Sequence, residues 1–390
     1  MAISGISSLK CRRTIGCVGG APAFFFHQPR YMKPNQSVVI GSLLVTVLFF
    51  QYCAKSATTT TGTTVVTTTN TTAVPPQPVL PGTSFNYANL PLPAFILACL
   101  ATEDNTPVNN PITDDGATLG RVLFYDNNLS KNNTTSCGSC HRPDLSFSDS
   151  AVKSKGFAGG TTDRHSMSLL NARFYRSGKM FWDERANTLE EQVLMPIQNT
   201  TEMGMTLTEL ETKIAAVSYY PGLFQKAFGS TQINADRISK ALAQFVRSLV
   251  TYRSRYDQVK QGLASFTADE RDGETIFLTV GNITCAGCHA PPMFITSSPQ
   301  APFVLPDPND AMLTNLRRAK SGSLRNIANT APYFHNGSVT SLQAMLGAPG
   351  IQPIPQHTVA PQDRQKILAF LQTLTDTTTI REVKYGNPFQ

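Results

Sequence analysis

Acidic residues are absent from the first 53 positions, and the 390-residue chain holds a single tryptophan, Trp182. The missing acids locate the positive charge. Lys10, Arg12, Arg13, Arg30 and Lys33 supply five of the formal +7, leaving 28 basic and 26 acidic side chains for the remainder. A basic pI confined to a leader is not a surface for polyanions, so no nucleic-acid partner is expected. Long apolar runs are scarce too. Residues 38–50 (VVIGSLLVTVLFF) are uncharged but too short for a comfortable membrane span, and they suit the core of a signal peptide. From Met32 the segment has a basic start, that apolar core and a terminal Cys53, which resembles a lipoprotein signal, although Tyr52 stands where a small residue is usual. Residues 1–53 are therefore expected to be a leader that exports the protein to the periplasm and anchors it to a membrane through a lipidated Cys53. Residues 54–84 cannot build a core: eleven threonines fall between positions 58 and 72, followed by a proline-rich stretch. They read as a tether, flexible and then partly extended. Runs of alternating apolar and polar residues are missing as well, which argues against a sheet.

What is present in duplicate is C-x-x-C-H. Cys137-Gly-Ser-Cys140-His141 and Cys285-Ala-Gly-Cys288-His289 start 148 residues apart. Two cysteines three apart share one face of a helical turn and can form thioethers to the two vinyl groups of one porphyrin. The histidine that follows is then held as proximal ligand to the iron. A zinc site or a redox C-x-x-C needs no histidine at that position. The remaining cysteines, Cys11, Cys17, Cys53 and Cys99, require no disulfide framework. Two covalently bound haem c groups are expected, one in each of two domains, 85–262 and 263–390.

The folded part is expected to be all-α, two cytochrome c-like haem domains with long loops. Ile238, Leu242, Phe245, Leu249, Tyr252 and Tyr256 alternate steps of four and three, which predicts one long helix over 234–261. Leu207, Leu210, Ile214 and Val217 repeat the pattern after Thr206, a candidate N-cap. Pro361 suits a first helical turn, with Ile367, Leu368, Phe370, Leu371 and Leu374 facing the core. Another helix is expected to open after Thr267.

From about residue 92 to 376 the chain resembles the bacterial dihaem cytochrome c peroxidases, the superfamily that includes MauG. The similarity is carried by PITDDGATLGRVLFYDNNLS before the first motif, MFWDERANTLEEQ, Glu202-Met203, and GSLRNIANTAPYFHNGS after the second. The resemblance implies that the N-terminal haem is peroxidatic, with Gln192, Pro196 and Glu202 on its distal side. Heterolysis of peroxide needs a proton moved from the inner to the outer oxygen, and a carboxylate such as Glu202 can move it. It implies that Trp182 relays electrons between the haems. Thr330 and Pro332 match positions whose carbonyls help bind an interdomain calcium, and oxygen donors suit that ion. His165 stands where the family usually has an asparagine of that site, which puts the calcium in doubt; a structural role for His165 is expected, with ligation of the iron as the alternative. The loop KSKGFAGGTTDR lacks the distal histidine of peroxidases that need reductive activation, so an open first haem is expected. For the second haem the family supplies methionine in the peroxidases or tyrosine in MauG. The shortened loop here offers Met345, with His357 as a weaker option.

The function implied is reduction of hydrogen peroxide to water, with electrons from a small soluble donor, a cytochrome c or cupredoxin, entering at the C-terminal haem. The alternatives are a MauG-like oxidant of a partner protein and a non-catalytic electron carrier. A homodimer is compatible with the resemblance.

Overall fold

The computed structural model describes residues 76–279, 285–296, 319–347 and 359–389. Among these residues the structure is helical, with isolated β-bridges in place of a sheet. In chain order come α1 (Ala94–Glu103), α2 (Asp114–Tyr125), α3 (Cys137–Cys140), α4 (Leu189–Gln192), α5 (Met195–Gln198), α6 (Leu207–Ala215) and α7 (Tyr220–Phe228). They are followed by α8 (Ala235–Ser248), α9 (Arg255–Lys260), α10 (Ala268–Thr279), α11 (Cys285–Cys288), α12 (Leu342–Gly347) and α13 (Pro361–Thr373). No helix of the described residues is long and apolar enough to cross a membrane. The leader, Cys53 and His357 lie outside the described residues.

The caps follow from side-chain chemistry. Thr206 and Glu209 form a reciprocal capping box at the start of α6, which satisfies two otherwise orphaned backbone donors. Thr113 accepts from Gly116 N at the start of α2, with Asp114 and Asp115 in the first turn where the helix dipole favours acid. Thr267 and Glu270 cap α10 in the same reciprocal manner.

One apolar cluster joins α2 (Leu119, Val122, Leu123, Phe124) to α8 (Ile238, Leu242, Phe245). A second joins Phe277 of α10 and Phe294 to Ile367, Phe370 and Leu371 of α13. A smaller third cluster places Ile96 of α1 against Phe174, Tyr175, Val250 and Met293. The C-terminal tail returns to the first cluster, where Tyr87 and Tyr125 donate to the carbonyls of Lys384 and Tyr385, each at 2.6 Å.

The two main clusters repeat a construction. A Cβ on Gly120 would meet the Ala241 carbonyl oxygen at 2.0 Å and Phe245 Cβ at 2.8 Å; on Gly273 it would meet the Lys366 carbonyl oxygen at 2.0 Å and Phe370 Cβ at 2.8 Å. The helix before each C-x-x-C-H motif, α2 or α10, thus crosses a later helix, α8 or α13, at a glycine. Gly273→Ala decides whether the crossing matters. Alanine in a free helix would gain about 1 kcal/mol over glycine. Overpacking against backbone costs about 1–3 kcal/mol, so the variant is expected to melt at a lower temperature than the parent. An unchanged or raised Tm in thermal unfolding would remove this close approach from the account.

The long helix predicted over 234–261 is broken. Its stripe is present in α8, but residues 249–254 leave the helix, and Tyr256 packs in the second cluster rather than the first. Distant side chains take the backbone donors of this break: Asn171 Oδ1 accepts from Thr251 N at 3.0 Å, and Asp376 Oδ2 accepts from Tyr252 N and Arg253 N at 3.0 and 2.8 Å. Ser254 then caps α9. Asn326 acts in the second half as Asn171 does in the first: both are left-handed, at φ 62, and each donates its backbone N–H to a carbonyl at the end of the long helix, Leu249 or Leu374.

Candidate functional site

The first C-x-x-C-H motif is a single helical turn, α3, whose start carries a Ser136–Ser139 capping box. His141 N donates to Cys137 O at 2.9 Å, closing the turn, and His141 Nδ1 pairs with the Phe147 carbonyl at 3.0 Å. With Nδ1 as the donor, Nε2 keeps its lone pair for a metal, the usual division of labour in a ligating imidazole. Burial holds the His141 pKa below the ordinary histidine value, so the ring is neutral, the form that ligates.

Cys137, Cys140 and His141 line one cavity, of about 80 Å³. The other walls bring in Gln192, Pro196 and Glu202, together with Lys155, Gly156 and Thr162 of the loop after the motif. Burial pushes the Cys137 thiol up to about 12 and the Cys140 thiol up to about 11. A reactive redox pair needs the reverse, an easily formed thiolate. The donor set therefore fits covalent haem attachment and not thiol–disulfide exchange.

Gln192 is the last residue of α4, a short turn capped by Thr188, and Pro196 sits in the first turn of α5. Both face the cavity rather than solvent. Glu202 lies on a tight turn built on Asn199, whose side-chain oxygen accepts from Thr201 N and Glu202 N at 2.8 and 3.1 Å. The Glu202 carbonyl accepts from Phe157 N at 2.9 Å, which ties the turn to the cavity loop. Gly156 permits that approach, because a Cβ there would lie 1.7 Å from the Thr201 carbonyl oxygen. Burial raises the Glu202 pKa; Arg185 opposes the shift and Asp163 adds to it. A carboxyl poised this way can take a proton and give it back.

His165 is buried but is not among the residues lining the cavity. Its Nδ1 pairs with the Ala151 carbonyl at 3.0 Å, and its Nε2 faces the Ser148 hydroxyl at 3.5 Å. Both ring nitrogens are thus directed at the protein.

The second motif forms α11, and His289 N donates to Cys285 O at 2.9 Å. Among the described residues His289 Nδ1 is buried without a hydrogen-bond partner, and burial pushes the ring down to about 4, so it too is neutral. A neutral imidazole beside two cysteines fits a haem here as well. Met345, on α12, is half-buried in the same apolar cluster as Cys285 and Ala286. Thr330 is buried next to the cis Ala331–Pro332 bond. Among the described residues no group of three or more His, Cys, Asp or Glu side chains is placed to hold a metal ion.

Trp182 joins the loops that follow the two motifs. Its Nε1 donates to the His165 carbonyl at 2.8 Å, its own carbonyl accepts from Lys320 N at 2.8 Å, and its ring stands edge-on to His335 at 6.4 Å. The connection is reciprocal, since His165 N donates to the His335 carbonyl at 2.8 Å. Trp182 lies in the turn closed by the Met180–Ala186 bridge and His335 in the turn closed by Tyr333–Val339, two turns of equal length with left-handed residues at matching places. The indole and the imidazole thus occupy equivalent positions in the two halves.

Sequence reasoning missed Lys320. It is buried, its ammonium stands 3.7 Å from the centre of the Tyr175 ring, and burial pushes it down to about 7 against the pull of Glu184. Tyr175 in turn donates its phenolic proton to Glu184. No periodicity or motif marks these residues. The six-residue interval that separates His165 from Asn171 and Lys320 from Asn326 was the available signal.

The chain was compared with known proteins. A family model described as di-haem cytochrome c peroxidase matches residues 114–265. The methylamine utilization protein MauG of Methylorubrum extorquens is 33% identical over 289 residues, covering 69% of this chain and 80% of that protein. The cytochrome c551 peroxidase of Nitrosomonas europaea is 32% identical over 289 residues, covering 70% and 85%. Among solved structures, a MauG-like protein associated with microbial copper homeostasis is 29% identical, with a TM-score of 0.66, and covers 77% of this chain and 99% of that one.

Proposed function

The chain belongs to the di-haem cytochrome c peroxidase family, which includes the MauG proteins, and on that premise we propose that it reduces hydrogen peroxide to water. The electrons would come from a small soluble redox protein, a cytochrome c or cupredoxin, in the periplasm. They would enter at the half carrying Cys285, Cys288 and His289 and pass Trp182 to the cavity at Cys137, Cys140 and His141. The observation that carries this reading is the shared cavity: a half-buried carboxyl of raised pKa, Glu202, and the amide of Gln192 face the same space as the first haem-binding motif.

A haem bound there supplies a redox-active iron that takes electrons one at a time. The chain does the rest. Glu202 takes the proton of the inner peroxide oxygen and returns it to the outer one, which leaves as water. Gln192 donates a hydrogen bond that orients the peroxide, and Pro196 and Met203 limit the water that reaches it. In sum, one peroxide, two electrons and two protons give two waters. Trp182, hydrogen-bonded to both halves, is the relay between them, and Met345 would help hold the second haem through its thioether. Calcium at the Thr330 and Pro332 carbonyls rests on the resemblance alone.

Because among the described residues no histidine other than His141 lines the cavity, the fully oxidised protein is expected to show one high-spin ferric haem and to react with peroxide without prior reduction. EPR of the oxidised protein, followed by stopped-flow mixing with peroxide and then reduced cytochrome c, tests this. An all-low-spin spectrum together with a need for pre-reduction would count against the open site.

A further inference from the structure

On the outer side of α3 lies a second cleft, of about 860 Å³, that the peroxide chemistry does not use. Its walls include Gly138 and Ser139, the two residues between the haem-binding cysteines, with Tyr125, Asp126, Tyr219 and Phe389. Among the described residues no lysine or arginine lines it. The Tyr125 ring lies so close to Gly138 that a Cβ there would come within 2.6 Å of it, and it stands 5.0 Å from the ring of Phe124, which lines the haem cavity. The two spaces thus lie on either side of α3, with Ser136 lining both and Phe124 and Tyr125 packed between them.

The tyrosines differ in what receives their protons. Tyr125 donates to a backbone carbonyl, which cannot accept a proton outright. Tyr219 and Tyr220 both donate to one carboxylate oxygen, Asp126 Oδ2, at 2.7 and 2.6 Å, and their rings are 4.7 Å apart. Oxidising a phenol demands loss of its proton, and here the base is in place. Tyr220 is fully buried, whereas Tyr219 is half-buried and forms part of the cleft wall.

We propose that this cleft is a second substrate site, for small phenols, with Tyr219 as the redox-active side chain and Asp126 as its proton acceptor. The inference rests on the peroxide reading above. In each turn Tyr219 gives one electron toward the haem cavity and its phenolic proton to Asp126. A bound phenol then gives an electron to the Tyr219 radical, Asp126 returns the proton to Tyr219, and the phenol releases its own proton to water and leaves as a phenoxyl radical. Two phenols are oxidised for each hydrogen peroxide reduced to two waters. Acceptor-rich walls suit a phenolic O–H, and the aromatic floor suits its ring.

The test uses the holoprotein, peroxide and guaiacol. After peroxide is added without a donor, freeze-quench EPR should show a tyrosyl radical, and a nitroxide trap should couple to Tyr219 in peptide mapping. In Tyr219→Phe the trapped adduct should disappear and the ratio of guaiacol to cytochrome c oxidation should fall at least tenfold; Asp126→Asn should lower that ratio in the same direction. Trapping at another tyrosine, or an unchanged ratio in Tyr219→Phe, overturns the proposal while leaving the peroxidase reading intact. Failure of the parent protein to consume peroxide with either donor overturns the peroxidase reading, and this one with it.

Discussion

Glu202→Gln is expected to lower peroxide-dependent turnover by about 10²-fold or more while leaving both haems attached, since a positioned acid–base group contributes about 10²–10⁴-fold. The variant keeps the shape of the side chain and the Asn199 turn, whose bonds to this segment run through the backbone. Stability should move the other way. Burial raises the folded pKa of Glu202, so the folded state disfavours its ionised form. Above that pKa the charge is a cost to folding, and below the unfolded value the cost vanishes. Glutamine removes the charge at every pH, so at neutral pH the variant should be at least as stable as the parent. The parent's rate should fall as pH drops through the raised pKa, and that limb should be absent from the variant. Steady-state oxidation of reduced cytochrome c over a pH series measures both effects. Turnover close to the parent's would take Glu202 out of the mechanism.

The second large effect concerns stability. The Arg325 and Asp257 side chains pair at 2.8 Å with no exposure of either. Arg325 also donates to the carbonyls of Pro292 and Thr251, so one guanidinium ties the break after α8, helix α9 and the loop after the second motif. Arg325→Leu should cost about 3–5 kcal/mol, because Asp257 would keep a buried charge without its cation. The expected fall in Tm is roughly 10 °C. In the double variant Asp257→Asn/Arg325→Leu the buried charge is gone as well, and much of the loss should be recovered. Thermal unfolding followed by circular dichroism tests the pair. A loss below about 1 kcal/mol in Arg325→Leu would show that the site relaxes or admits water.

Legibility differed from residue to residue. The haem-binding segments were plain, because attachment demands a fixed order of cysteines and histidine within one helical turn. The cap at Thr206 and the first-turn proline Pro361 were plain for the same reason, being local. Gln192 was expected at the cavity from the resemblance, not from any local pattern, and it lines the cavity because α4 and α5 are single turns folded over it. The break after α8 was not legible at all. Its stripe continues in helical register through Tyr256, and only the side chains of Asn171 and Asp376, far along the chain, draw Thr251, Tyr252 and Arg253 out of the helix.

The sequence by itself determined the chemistry that depends on neighbours in the chain: helical class, two haem-binding turns, caps, and membership of a family whose blocks recur in order. Tertiary structure alone decided which groups share a space. It brought Glu202 and Gln192 to the Cys137–His141 cavity, set Trp182 against His335, and placed Tyr219 and Tyr220 on Asp126. The physical reason is range. Capping and thioether geometry act over one turn of helix and leave a pattern in adjacent letters. Cavities and buried pairs join residues tens to hundreds of positions apart, through contacts that no local spacing encodes.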